Sequence, residues 1–230
     1  MLLTSIAAFA LASTSRASQF RLEIPNPTSD VEIRDDAGHL VPTIPGQPVS
    51  MSPNWSLHPV AAGKAVHLIS YDGTIPIAKM VITFKTANTY AKFMGDVDIS
   101  GTTYTEIETR DGVVTDVSDF TKVPPSGRRS RQLLRSGTVR TGAYGTHYVV
   151  TVSGGFETIW IDASTDMIMA ELSTGSTGTT TFTGPSRSYK INLANPDADH
   201  DGKVDRVHGA KANHPNVPCS KADTPKNTDG

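Results

Sequence analysis

The feature that most constrains this chain is a succession of short, alternating apolar runs cut by glycine, proline and Asp/Asn turns. No helical period appears before residue 195. Successive side chains of a strand point to opposite faces, so a period of two marks a half-buried strand. Phe20, Leu22 and Ile24 share one face of such a run, which Pro25-Asn26-Pro27 ends. Val31-Glu32-Ile33 is a second short strand, closed by Asp35-Asp36-Ala37-Gly38. Residues 39–63 carry five prolines and read as extended edge structure or loop. Residues 65–71 and 76–85 flank Asp72-Gly73, a hairpin signal. Residues 146–152, 156–161 and 167–172, spaced by Ser153-Gly154-Gly155 and by residues 162–166, predict a three-stranded meander. Residues 173–181 are Ser/Thr/Gly-rich, a loop or a Thr-rich edge strand, and 187–193 form the last expected strand. The expected fold is all-β, an antiparallel β-sandwich or jelly roll with a loop-like C-terminal tail.

This pattern divides the 230 residues into three parts. Residues 1–17 read as a signal peptide. The run Met1–Ala12 is soft and apolar, with small-residue cleavage sites after Ala12 and Ala17, although no Lys or Arg precedes it. Residues 18–194 are the β-sandwich domain, with two sheets or subdomains joined near 121–141. Residues 195–230 hold a candidate calcium loop and a Lys-, Asn-, Pro- and Asp-rich tail expected to be disordered. No apolar run reaches the roughly 20 residues needed to cross a bilayer as a helix. A formal charge of −2 disfavours a nucleic-acid partner. Cys219 is the one cysteine, so an exported chain of this kind relies on its core or a metal and not on an internal disulfide.

The charge is unevenly spread. Residues 92–120 carry Asp96, Asp98, Glu106, Glu108, Asp111, Asp116 and Asp119 against Lys92 and Arg110. Because apolar residues alternate with these acids, the plain expectation is strands with a solvated outer face. Glu106 and Glu108 share one strand face, and a carboxylate pair is the machinery of glycoside hydrolysis. Partners there flank the bond from opposite sides of a cleft, so a surface pair is the stronger expectation. Residues 121–145 reverse the sign with Lys122, Arg128, Arg129, Arg131, Arg135 and Arg140 and no acid. Three readings follow: a solvated loop pairing with the acidic block, an anion site spanning Arg128–Arg140, or a furin- or kexin-like processing site at Arg128-Arg129-Ser130-Arg131. Asn54-Trp55-Ser56 is a glycosylation sequon, meaningful in a eukaryotic secretory route. Trp160 and Tyr148 suit sugar stacking if they face outward, and the core if they do not. His67 and His147 lack a second ligand or a nucleophile beside them.

The stretch Asp197-Ala-Asp-His-Asp-Gly-Lys-Val-Asp-Arg-Val-His208 joins residue type and spacing to a known chemistry. Ca²⁺ takes 6–8 oxygen ligands, and carboxylates at alternate positions wrap one ion if the chain turns sharply between them. Asp197, Asp199 and Asp201 have that spacing, Gly202 permits the turn, the Lys203 carbonyl is the next ligand, and Asp205 binds through water. Val204 is placed to anchor the loop by packing. These residues resemble the calcium loops of EF-hands, dockerins and thrombospondin type 3 repeats. The likeness covers a dozen residues and departs at His208, where the EF-hand pattern has a bidentate Glu. Asn195-Pro196 and a strand also precede the loop where that pattern has a helix. A single weak site is expected, with Kd of about 10⁻⁴ to 10⁻³ M. His200, His208, His214 and Cys219 match no zinc spacing. The expected function is therefore a secreted, non-catalytic β protein that binds a cell-surface or glycan ligand and carries structural calcium. The alternatives are an extracellular carbohydrate-active hydrolase or lyase and a proteolytically processed toxin or effector. No Gly-x-Ser-x-Gly, His-Glu-x-x-His, P-loop or paired-Cys motif points to another chemistry.

Overall fold

A computed structural model describes residues 20–99, 102–119, 131–144, 147–161, 167–183, 187–205 and 207–211. Among them there is no helix, and the chain forms two large sheets. The first strands are β1 (Arg21–Ile24), β2 (Val31–Arg34), β3 (Val49–Ser50), β4 (Ser56–Pro59), β5 (Lys64–Asp72) and β6 (Ile75–Phe84). The middle of the chain gives β7 (Ala91–Ile99), β8 (Thr102–Thr109), β9 (Val113–Asp119), β10 (Arg131–Ser136) and β11 (Val139–Tyr144). The remainder gives β12 (His147–Ser153), β13 (Phe156–Ile161), β14 (Met167–Leu172), β15 (Thr180–Thr183), β16 (Arg187–Asn192) and β17 (Val207–Lys211). One sheet has the order β17-β16-β13-β12-β9-β6-β5-β1-β3, the other β15-β14-β11-β10-β8-β7-β4-β2. The all-β sandwich is thus the fold.

The chain weaves between the sheets, largely one hairpin at a time. The hairpin β5–β6 lies in the nine-stranded sheet, β7–β8 in the other, and the alternation continues to β16–β17. An excursion of two strands brings the chain back antiparallel to where it left, as β6 meets β9 and β11 meets β14. Between β8 and β10 the excursion is the single strand β9, so β10 returns parallel to β8. That is the one parallel pair among the described strands, and its register sets Glu108 beside Arg135.

Period-two burial drives the sandwich together. On β6, Met80, Ile82 and Phe84 are buried; on β13, Ile159 and Ile161. They join Ile107, Leu134, Val139, Ile168 and Phe182 of the facing sheet in one apolar cluster. The 65–85 hairpin forms as expected around Asp72-Gly73, with Gly73 at φ +62°. The expected meander does not: β12 and β13 pair, but β14 pairs with β11 in the opposite sheet. Residues 173–181 supply both a loop and the Thr-rich edge strand β15, and 39–63 supply the short strands β3 and β4. Residues 207–211, expected to lead into disorder, form the edge strand β17 against β16.

Candidate metal centre

The acidic loop joins β16 to β17 of the nine-stranded sheet and is hydrogen-bonded to the side of the eight-stranded one. Asp205 N donates to Pro196 O (2.7 Å), closing the loop on itself. Val204, 2% exposed, inserts into the sandwich core, as its anchoring role predicts. On the side of the eight-stranded sheet, Thr180 Oγ1 donates to Val204 O (2.6 Å) and Thr177 Oγ1 to Asp201 O (2.8 Å). Thr177 N donates to Gly202 O (2.9 Å). Gly202 sits at φ +84°, and a Cβ there would lie 2.5 Å from Thr177 Cγ2, so both conformation and space demand glycine.

Within this frame the carboxylates divide. One oxygen from each of Asp197, Asp199 and Asp205 lies within 4.8 Å of the others. Asp197 also accepts from the amides of Asp201 (3.1 Å) and Gly202 (3.1 Å), and Asp205 Oδ2 from Ala198 N (2.5 Å). Asp201 stands apart from that trio. Its Oδ1 accepts from Lys203 N (2.8 Å) and its Oδ2 faces Lys203 Nζ (3.7 Å), so the third aspartate of the motif neutralises the lysine. Lys203 is half-buried with Cε 3.8 Å from where a Cβ of Gly178 would stand. Desolvation raises the Asp205 carboxyl above its ordinary value, and Asp199 and Asp197 push it the same way against the Ala198 hydrogen bond. Three converging carboxylates are a hard, oxygen-only donor set of the kind Ca²⁺ takes. His208, the twelfth position, pairs in register with Tyr189 as part of β17. His200 is exposed at φ +64° and stays outside the carboxylate trio; His214 and Cys219 lie outside the described residues.

Glu106 and Glu108 do share a strand face, the outer one of β8, but that face is not solvated at their positions. They are 5% and 7% exposed. Lys92, Glu108, Arg135, Arg140 and Glu171 are successive register partners on β7, β8, β10, β11 and β14, a charged row crossing five strands. Arg135 Nη2 and Arg110 Nη2 each lie 2.6 Å from Glu108, and Arg140 Nε lies 2.8 Å from Glu106. Arg140 also reaches Glu171 (3.8 Å), whose carboxyl burial raises while Arg140 lowers it. The expected solvated acidic face holds at Asp98 and Asp111, which are exposed, and is corrected at Glu106 and Glu108, which Arg110, Arg135 and Arg140 cover. Arg135 and Arg140 are strand residues paired with the acidic block and not members of an exposed loop. Lys122 and the signal peptide lie outside the described residues, as do Arg128, Arg129 and Ser130 of the processing motif, whose last residue, Arg131, begins β10.

Tyr148 is a core residue, and Trp160 lies on the outer face of the nine-stranded sheet against Val149 and Val114, 9% exposed. His147 packs edge-on against that indole and binds Asp116 Oδ1 (3.0 Å). His67 is exposed on β5, and Asn54 of the sequon is exposed in a turn at φ +69°. Sequence reasoning passed over Glu157, which is fully buried in the core. Its signal was present: in Phe156-Glu157-Thr158-Ile159-Trp160-Ile161 it shares the face of Ile159 and Ile161.

No family model matches the chain, and no curated protein does. Among solved structures, the chain is similar to one described as a "putative anti-sigma factor from Parabacteroides distasonis", with TM-score 0.32 and 8% identity. The alignment covers 70% of this chain and 60% of that one.

Proposed function

We propose that this chain is a secreted, non-catalytic β-sandwich that binds a cell-surface or glycan ligand, and that one calcium ion staples its C-terminal loop. The observation that carries the calcium is the convergence of Asp197, Asp199 and Asp205 beside the seam where the loop meets the eight-stranded sheet. Asp201 takes a supporting role, holding Lys203, and the carbonyl of Lys203 and water complete the coordination. Export is supported by the apolar run Met1–Ala12. The non-catalytic reading is supported by Glu106 and Glu108, each occupied by arginine in the place where a glycosidase acid would face its substrate.

Thermal melts of the full chain in EDTA and in 10 mM CaCl₂ test the site. For a Kd of about 10⁻⁴ to 10⁻³ M, calcium adds roughly 1.4–2.7 kcal/mol. For a chain of this length that raises Tm by roughly 3–10 °C. Asp205→Asn should abolish the rise. An unchanged wild-type midpoint defeats the calcium reading. A polysaccharide array, with turnover measured on each hit, separates the glycan-binding reading from the enzymatic one.

A further inference from the structure

We infer that Glu157 is a proton-binding site built into the core, and that in its neutral form it clips the two sheets together near the β12–β13 turn. Glu157 is 0% exposed and stands three residues after Gly154 at the end of the nine-stranded sheet. It reaches across the interior to the facing sheet, where Thr141 Oγ1 of β11 donates to its Oε1. Beside this contact lies Ser136 of β10, whose hydroxyl is 3.0 Å from Thr109 Oγ1 of β8. One carboxyl thus begins a polar track that links β13 to three strands of the other sheet.

The track suits an acid and not its anion. Glu157 Oε2 is buried with no partner at full hydrogen-bond distance. Its register neighbours are Val152 on β12 and Ile191 on β16, neither of which can supply charge. The charged groups described on the strands packed around it sit on outward-facing positions: Glu106 and Glu108 on β8, Arg135 on β10, Arg140 on β11, His147 on β12 and Lys190 on β16. None of them contributes to its titration. Burial lifts the carboxyl from 4.5 to about 7, against the weaker pull of the Thr141 and Ser136 hydroxyls. A neutral acid carries no charge to desolvate and can turn its own O–H towards a hydroxyl oxygen, whereas the anion leaves Oε2 unsatisfied in an apolar core.

The sign of the effect follows. Below pH 4.5 folded and unfolded chains both hold the proton. Between 4.5 and about 7 the unfolded chain gives it up while the folded chain keeps it, so stability falls as pH rises; above 7 the loss is constant. The unfolding equilibrium constant should rise about 300-fold across that window on account of this group alone. The contribution is fully present in acid and lost near neutrality, so the joined sheets loosen as pH rises.

Two measurements on the full chain decide the matter. The Glu157 side-chain carboxyl ¹³C shift of the wild-type protein should titrate with a midpoint near 7, and a midpoint below 5 would overturn the proposal. Urea unfolding of wild type and Glu157→Gln at pH 4.5 and 8 should give a ratio of unfolding constants that changes about 140-fold between the two pH values, since the unfolded carboxyl is already half ionised at the lower one. Titrations elsewhere cancel in that ratio, so an unchanged ratio refutes the coupling. If Glu157→Gln does not fold, the wild-type carboxyl titration decides alone.

Discussion

Replacing Arg140 by Met tests whether the charged row on the eight-stranded sheet is structural. Its guanidinium lies 2.8 Å from Glu106 and 3.8 Å from Glu171, with side-chain exposures of 17%, 6% and 15% for the three residues. Exposed ion pairs are worth about 0–1 kcal/mol, whereas breaking a buried pair costs about 3–5 kcal/mol, because the partner is left charged and desolvated. Arg140 keeps some solvent contact, which places Arg140→Met at about 2–4 kcal/mol. The corresponding fall in Tm is roughly 5–15 °C for a chain of this size. Most of that cost belongs to Glu106, so adding Glu106→Gln should recover all but about 1 kcal/mol. Urea unfolding of wild type, the two single variants and the double variant closes the cycle. Single-variant costs below about 0.5 kcal/mol that simply add would refute the reasoning and return these residues to an ordinary surface.

The other perturbations concern the loop. Gly202→Ala should cost about 2 kcal/mol or more, from the φ of +84° together with the clash against Thr177, and is read as a lower melting midpoint. In Gly202→Ala/Thr177→Ser only the Cγ2 overlap is relieved, so recovery should be partial. Val204→Ala should cost about 2 kcal/mol, since the residue is 2% exposed within the core cluster, and the loss should appear with or without calcium. A Val204→Ala variant as stable as wild type would show that the loop is not anchored through its side chain.

What was legible in the sequence is what local spacing dictates. The alternation in 76–85 and the Asp72-Gly73 turn suffice for β5–β6, because a hairpin closes on its own residues. Val204 was legible for the same reason: a large apolar side chain between Lys203 and Asp205 has little else to do but pack. Alternation also put Glu106 and Glu108 on one face, but it could not say what lies over that face. Arg135 is 27 residues from Glu108, Arg140 is 34 from Glu106, and the parallel register that unites the first pair comes from the lone passage of β9 through the opposite sheet. The meander failed because β12, β13 and β14 have the same local pattern, and pattern does not record which sheet a strand joins. Spacing placed Asp201 with Asp197 and Asp199, but it does not record that the Asp201 carboxylate also faces Lys203.

A fold that weaves between two sheets satisfies its backbone within each sheet, so side chains carry the adhesion between them. Most of that adhesion is the shared apolar cluster, which is non-directional and tolerates sliding. Polar links across the gap are directional and therefore set how the layers sit. Tyr148 Oη donates from β12 to Gln132 O on β10 (3.4 Å), Thr141 to Glu157, and Thr180 to Val204 O. The first two are interior and the third is at the β15–β16 side, where each sheet is near its edge. Edge strands present unpaired backbone groups and hold fewer neighbours, so the side where the loop crosses is one of the two less supported margins of the sandwich. A cation bound by Asp197, Asp199 and Asp205 would strengthen the fold there more than anywhere in the interior. Calcium protection from amide exchange should therefore be greatest on β15, β16 and the loop, and an even gain across both sheets would speak against a local staple.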